Sequence, residues 1–269
     1  MKNILITNDD GYLGEGLFPL VEALIPLGNV FVVVPDRDCS ALSHAITLDR
    51  PILVKRYKRT FNSFQKYIME KIKGRFFTVS GTPADCVRLG YTAVVKSKID
   101  LVAAGINKGP NLGIDTIYSA TVACAREASI AGIPSVAISQ ICDKNKMNLS
   151  KAQIISYKIC KGILENALPK GVYLNVNIPA KVNFTKSRIT VAAIGNREYG
   201  RNFIKRIINN AAFHYTLLGE VKNTSNGKGS DVETVKKGDI SLTPITLNGK
   251  KLKSIKNSLI WLKKIQFSF

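Results

Sequence analysis

Residues 3–36 read NILITNDDGYLGEGLFPLVEALIPLGNVFVVVPD, and this stretch decides the fold class. Asn3 to Thr7 is a short apolar run that predicts a strand. Leu17, Leu20, Val21 and Leu24 then recur at helical spacing until Gly28, and Val30 to Val34 form a β-branched run that predicts a second strand. Neither strand alternates polar with apolar residues, so both of its faces are buried, as in a parallel sheet covered by helices on either side. The pattern repeats downstream. Phe76 to Ser80 predicts a strand, and Thr82-Pro83-Ala84-Asp85 opens a helix with an N-cap, a proline at the first helical position and an acid in the first turn. Val87, Tyr91, Val94 and Val95 give that helix its buried face. Leu101 to Gly105 and Ser135 to Ser139 read as further strands, separated by an Ala-rich helix from Ser119 to Ala131 that Gly132 and Pro134 stop. The expectation is an α/β fold, a Rossmann-like three-layer core with a mainly parallel sheet.

The chain has 269 residues, 45% of them hydrophobic, which excludes disorder and fibrous repeats and suffices for one large α/β domain. A core over residues 1–180 includes a helix from Ser150 to Leu168 and a strand from Val172 to Ile178. Residues 181–269 read as a β-rich arm, with a strand from Arg188 to Ile194, a weaker one from His214 to Leu218 and a basic amphipathic helix in the tail from Lys250. No apolar run approaches the roughly 18 residues that cross a bilayer, and the expectation is a soluble, cytoplasmic protein. Cys39, Cys86, Cys124, Cys142 and Cys160 are too widely spaced for a disulfide framework or a zinc site. Lys and Arg number 39 against 19 Asp and Glu, so the net charge of +20 favours polyanionic partners and says nothing about fold.

Polar residues gather at the carboxyl ends of the predicted strands, where open α/β sheets place ligands. Asn8-Asp9-Asp10-Gly11 follows the first strand, and Asp36, Asp38, Ser40, Ser43 and His44 follow the second. Ser80-Gly81-Thr82 follows the third, and Gly105-Ile106-Asn107 the fourth. Adjacent carboxylates resist joint ionisation unless a cation compensates them. With Ser and Asn oxygens nearby the donor set is hard and all-oxygen, suited to Mg²⁺, Mn²⁺ or Ca²⁺. Alone, Asp9-Asp10-Gly11 also reads as a simple turn. Gly105 to Gly113 is a Gly- and Asn-rich loop ahead of a helix, an arrangement that cradles an anion, with Lys108 adding charge. Ser119 and Thr121 read either as helix caps or as phosphate donors. Neither a Walker loop nor a dinucleotide fingerprint is present.

Together these segments resemble the SurE family of metal-dependent nucleoside-monophosphate phosphatases. The resemblance is carried by Thr7-Asn8-Asp9-Asp10-Gly11, by Pro35-Asp36-Arg37 with Ser40, by Ser43 to Leu48, by Ser80 to Val87, and by Gly105 to Gly113 leading to Tyr118-Ser119. It implies a divalent ion, one per subunit, on Asp9, Asp10, Ser40 and Asn107. It also implies catalysis by Asp9, Asp10 and Asn107, and an arm that exchanges between subunits of a dimer or tetramer. The candidate phosphate contacts are Asn8, Ser43, His44, Gly109, Asn111, Ser119 and Thr121. The implied reaction is hydrolysis of nucleoside 5′- and 3′-monophosphates, and of short polyphosphate, by metal-activated water. His44 is a candidate phosphate contact or acid, with a structural role the blander reading.

Three features depart from the family pattern. Ala120 replaces a glycine after Tyr118-Ser119, residues 55–75 form a longer basic insertion with aromatics at helical spacing, and the arm lacks the Trp and the Asp-Pro-Arg-Gly run expected near His214. The competing classes are a basic nucleic-acid-binding protein without turnover and a metal-dependent nucleotide-sugar transferase. Specific nucleic-acid binding and membrane association are not expected.

Overall fold

The structure, a computed structural model, describes residues 1–60, 62–200, 202–209, 211–218, 221–222, 227–249 and Trp261. In the first strand, β1 (Lys2–Thr7), Ile4 and Ile6 join one buried cluster and Leu5 another on the opposite face. That two-sided burial is why the run carries no alternation. The elements continue as α1 (Leu17–Leu24), β2 (Gly28–Pro35), β3 (Val54–Arg56), α2 (Ser63–Lys71), β4 (Phe76–Val79) and α3 (Pro83–Leu89), which ends in a π turn over Gly90–Val94. Next come β5 (Leu101–Lys108), α4 (Asp115–Tyr118), α5 (Ala120–Ile130), β6 (Ser135–Gln140), α6 (Leu149–Asn166), β7 (Val172–Ile178) and β8 (Ile189–Val191). Last are β9 (Glu198–Tyr199), β10 (Phe203–Asn209), β11 (Ala212–Leu217), β12 (Val221–Lys222), α7 (Asp231–Lys236) and β13 (Ile240–Thr246).

Nine strands form one sheet in the order β3-β4-β2-β1-β5-β6-β7-β13-β8. The six from β4 to β7 are mutually parallel, β3 and β13 run antiparallel to their inner neighbours, and β8 pairs parallel with β13. α1, α2 and α6 bury Leu20, Ile68 and Ile159 on one face, while α3 and α5 bury Val87 and Cys124 on the other. This is the expected three-layer α/β architecture. The chain winds outward from β1 in one direction and then returns to β5, so the strand order reverses between β1 and β5. The crevice outside the carboxyl ends of those two strands is where such sheets bind ligands.

Several elements differ from the sequence expectation. β5 continues to Lys108 instead of ending at Gly105, because a bulge between Ala104 and Asn107 lets pairing resume with Asn107 opposite Ser139. Gly105 makes the bulge feasible: its φ is +132° and a Cβ there would lie 2.3 Å from the Ile138 carbonyl oxygen. A one-turn helix, α4, precedes α5 where an extended loop is expected. In the basic insertion the helix covers only Ser63–Lys71, anchored by fully buried Ile68. Tyr57 lies outside it, its ring packed 5.2 Å from that of Tyr12 and 4.6 Å from that of Phe76. β13 is hidden in the sequence because its buried positions include Ser241 and Thr243. β10 and β11 form an antiparallel hairpin. Phe61 and, apart from Trp261, the basic tail from Lys250 lie outside the described residues.

Candidate active site

The site grows from the turn after β1. Gly11, at φ +77°, closes that turn, and a Cβ there would meet the Arg37 carbonyl oxygen at 2.7 Å, so the Asp-Asp turn lies flat against the end of β2. Asn8 fastens it from within by donating its amide to the Gly11 carbonyl at 2.8 Å. Asp9 is 3% exposed. Its carboxylate accepts from the Thr121 hydroxyl at 2.5 Å and from the Thr121 backbone N–H at 3.2 Å, and its carbonyl accepts from the Cys39 N–H at 2.8 Å. Three separate segments therefore converge on one residue: the β1 turn, the loop after β2 and the first turn of α5.

Burial raises the pKa of the Asp9 carboxyl, against the opposing effect of the Thr121 hydrogen bonds. Asp10 is half-buried and has no hydrogen bond to its carboxylate among the described residues. Burial first, then the neighbouring charges of Asp9 and Asp38, push its pKa to about 7. Ser40 is exposed and held by Asp38, which accepts from its hydroxyl at 2.6 Å and its N–H at 2.8 Å; those bonds lower the Asp38 pKa. Asn107 follows the β5 bulge and donates its side-chain N–H to the Gly109 carbonyl at 3.0 Å. Lys108 beside it pairs with Glu15 at 3.2 Å and still favours ionised Asp10.

The remaining candidates are partly engaged elsewhere. The Gly109 N–H donates to the Gln140 carbonyl at 2.8 Å, and Asn111 is bound into the sheet, its N–H to Asn177 and its side-chain amide to Ser139. Ser43 donates its hydroxyl to the Ile117 carbonyl at 2.6 Å. Ser119 caps α5 by accepting from the Val122 N–H at 3.1 Å. His44 Nε2 lies 3.0 Å from Glu127, a buried carboxylate that also accepts from Arg88 at 2.9 Å. Ala120 is fully buried.

Three groups have supporting parts that the sequence does not show. Asp38 positions Ser40, Thr121 grips Asp9, and Glu127 holds His44. Asp38 and Thr121 stand among the sequence candidates in other roles, whereas Glu127 does not, its one signal being that it is the sole acid of α5.

A hard divalent cation fits this donor set. Asp9 and Asp10 supply adjacent carboxylates whose pKa values are raised by their surroundings, and the Asn8 side-chain carbonyl oxygen is buried without a partner. Oxygen donors from Ser40 and Asn107 suit Mg²⁺ or Mn²⁺ better than zinc.

The order of these motifs along the chain matches a known pattern: a family model described as Survival protein SurE covers residues 4–201. The chain belongs to the SurE family. It is 40% identical over 261 residues to 5′-nucleotidase SurE of Aquifex aeolicus, spanning 95% of this chain and 98% of that protein. With 5′-nucleotidase SurE of Geobacter sulfurreducens it shares 35% identity over 246 residues, 91% of this chain and 88% of the other. The crystal structure of the Sure protein from Aquifex aeolicus aligns with a TM-score of 0.74 at 35% identity, covering 95% of this chain and 97% of that one. Two SurE motifs distant in sequence are joined in space. Thr82 donates its hydroxyl to the Ala45 carbonyl at 2.7 Å, and Thr47 donates to Asp85 through both its N–H and its hydroxyl. Among the described residues no helix is long and apolar enough to cross a membrane.

Proposed function

We propose that this protein is a phosphatase that hydrolyses nucleoside 5′- and 3′-monophosphates, and short polyphosphate, to release inorganic phosphate. The observation that carries the reading is the pair Asp9-Asp10 at the β1/β5 switch point, one carboxylate gripped by Thr121 and the other unengaged. Membership of the SurE family, with relatives named 5′-nucleotidase, supports it.

Asp9, Asp10, Ser40 and Asn107 would hold one Mg²⁺ or Mn²⁺ ion per subunit. When bound, such an ion offsets phosphate charge and makes a coordinated water more acidic. Thr121 keeps the Asp9 carboxylate turned into the crevice. Asp10 is the less committed carboxylate and would accept the proton of the attacking water as the new P–O bond forms, while the ester P–O bond breaks and the leaving oxygen takes a proton from solvent. Asn8, Ser43, His44, Gly109, Asn111, Ser119 and Thr121 remain the phosphate-side residues of the proposal. For Ser43 and Thr121 the part played is positional, since their hydroxyls already donate to Ile117 and Asp9, whereas the Ser119 hydroxyl accepts from Val122 and keeps its own proton for a phosphate oxygen. The β10–β11 hairpin within 181–269 joins two or more copies of the chain, and the buried free thiols Cys39, Cys86, Cys124 and Cys160 accord with a cytoplasmic setting.

The test is phosphate release from a panel of 5′ and 3′ nucleoside monophosphates and short polyphosphate with Mn²⁺ or Mg²⁺, repeated with EDTA. Release that EDTA abolishes is the expected result. Absence of release from every substrate with either ion would overturn the proposal.

A further inference from the structure

Two exposed aromatic rings, Tyr118 and Tyr199, pack on each other and have no part in the chemistry above. Tyr118 is 52% exposed and Tyr199 39% exposed; their ring centroids are 6.3 Å apart and their planes stand at 84°. This edge-to-face arrangement is favourable and orients both rings. Each is tied to the site by a separate route. The Tyr199 hydroxyl donates to Asp115 at 2.5 Å, and buried Asp115 also receives the Leu112 N–H at 3.1 Å and the Arg197 guanidinium. Burial and the bond to Asp115 push the Tyr199 pKa to about 12, so the hydroxyl keeps the proton it donates. The Tyr118 carbonyl accepts from the Ser43 N–H at 3.0 Å, binding this turn to the loop that carries Ser40.

Two residues, Ser119 and Ala120, separate Tyr118 from Thr121, the residue on the Asp9 carboxylate, so the two Cα atoms lie at most about 11 Å apart. The exposed ring therefore stands on the same short segment as the residue that grips Asp9. We propose that Tyr118, braced by Tyr199, is the platform on which the nucleobase of the substrate stacks. The inference rests on the nucleoside-monophosphate reading and adds how the base is held. Stacking uses the π face that every base has, so it accepts purines and pyrimidines alike.

The test is calorimetric binding of adenosine and of ribose 5-phosphate to wild type, Tyr118→Ala and Tyr118→Phe, with phosphate release from AMP measured alongside. Adenosine is expected to bind Tyr118→Ala roughly 5- to 150-fold more weakly, the range spanned by one base on one ring, while Tyr118→Phe retains affinity and ribose 5-phosphate binds all three alike. Equal adenosine affinity in wild type and Tyr118→Ala, a parallel loss for ribose 5-phosphate, or no adenosine binding by wild type would each overturn the platform. Tyr118-dependent adenosine binding without phosphate release from AMP would support the platform and refute the phosphatase reading. Release from AMP with unaltered KM in Tyr118→Ala would do the reverse.

Discussion

At the scale of single residues, the site depends on who holds whom. Thr121 is fully buried and gives Asp9 two hydrogen bonds, so Thr121→Val removes the stronger while keeping the shape. Loss of a partner that orients a ligand costs about 10- to 100-fold in metal affinity or activity. Steady-state kinetics with a metal titration should show a drop of that size, and unchanged turnover would remove Thr121 from the site. Asp10 yields a pH prediction. Its folded pKa of about 7 lies above the ordinary carboxylate value, so between about pH 4 and pH 7 the ion-free fold holds a proton that the unfolded chain has lost. The stability from this group is therefore present below about pH 4 and is lost as pH rises to 7. A divalent ion favours the ionised carboxylate, so its stabilising effect should grow from pH 5 to pH 8 with proton release. Thermal melts with and without Mg²⁺ across that range check this; a pH-independent Mg²⁺ effect would contradict it.

At the scale of elements, the sequence is most legible where one strand or helix repeats one chemistry. The run from Asn3 to Val34 identifies β1, α1 and β2 because apolar residues buried on both faces leave no other reading. Asp9, Asp10, Ser40 and Asn107, the proposed ligands, stand out in the sequence because each follows a predicted strand and open parallel sheets bind at strand ends. What stays hidden depends on tertiary pairing. The bulge that carries β5 past Gly105 is visible only once the Ile138 carbonyl is seen beside it, and β13 buries Ser and Thr that look exposed in a one-dimensional pattern. Similarly, the hydroxyls of Thr121 and Ser43 read as phosphate donors because nothing in the sequence shows that Asp9 and Ile117 receive them. The bulge supplies its own prediction. Gly105→Ala forces a side chain against the Ile138 carbonyl at positive φ and should destabilise the fold by about 1–3 kcal/mol, seen as a lower denaturation midpoint. An unchanged midpoint would show that the bulge does not require glycine.

At the scale of the whole molecule, the sheet is shielded on both sides while the arm is not. Phe203, Ile204, Ile207, Phe213, Tyr215 and Leu217 all stand exposed on the β10–β11 hairpin. Apolar surface gathered in this way marks an interaction surface, in keeping with the proposed assembly of two or more copies. Sedimentation should show a dimer or larger, shifting toward monomer in an Ile207→Asp, Phe213→Asp double variant; a monomeric wild type would contradict the proposed role of the arm.

The central claim is that Asp9 and Asp10 hold the ion that makes this fold a phosphatase, and comparing phosphate release by wild type and Asp9→Asn tests it most directly. With Mn²⁺, wild type should release phosphate from nucleoside monophosphates, while the folded variant should fall to background and lose Mn²⁺ affinity. A folded Asp9→Asn that turns over at the wild-type rate would contradict the account.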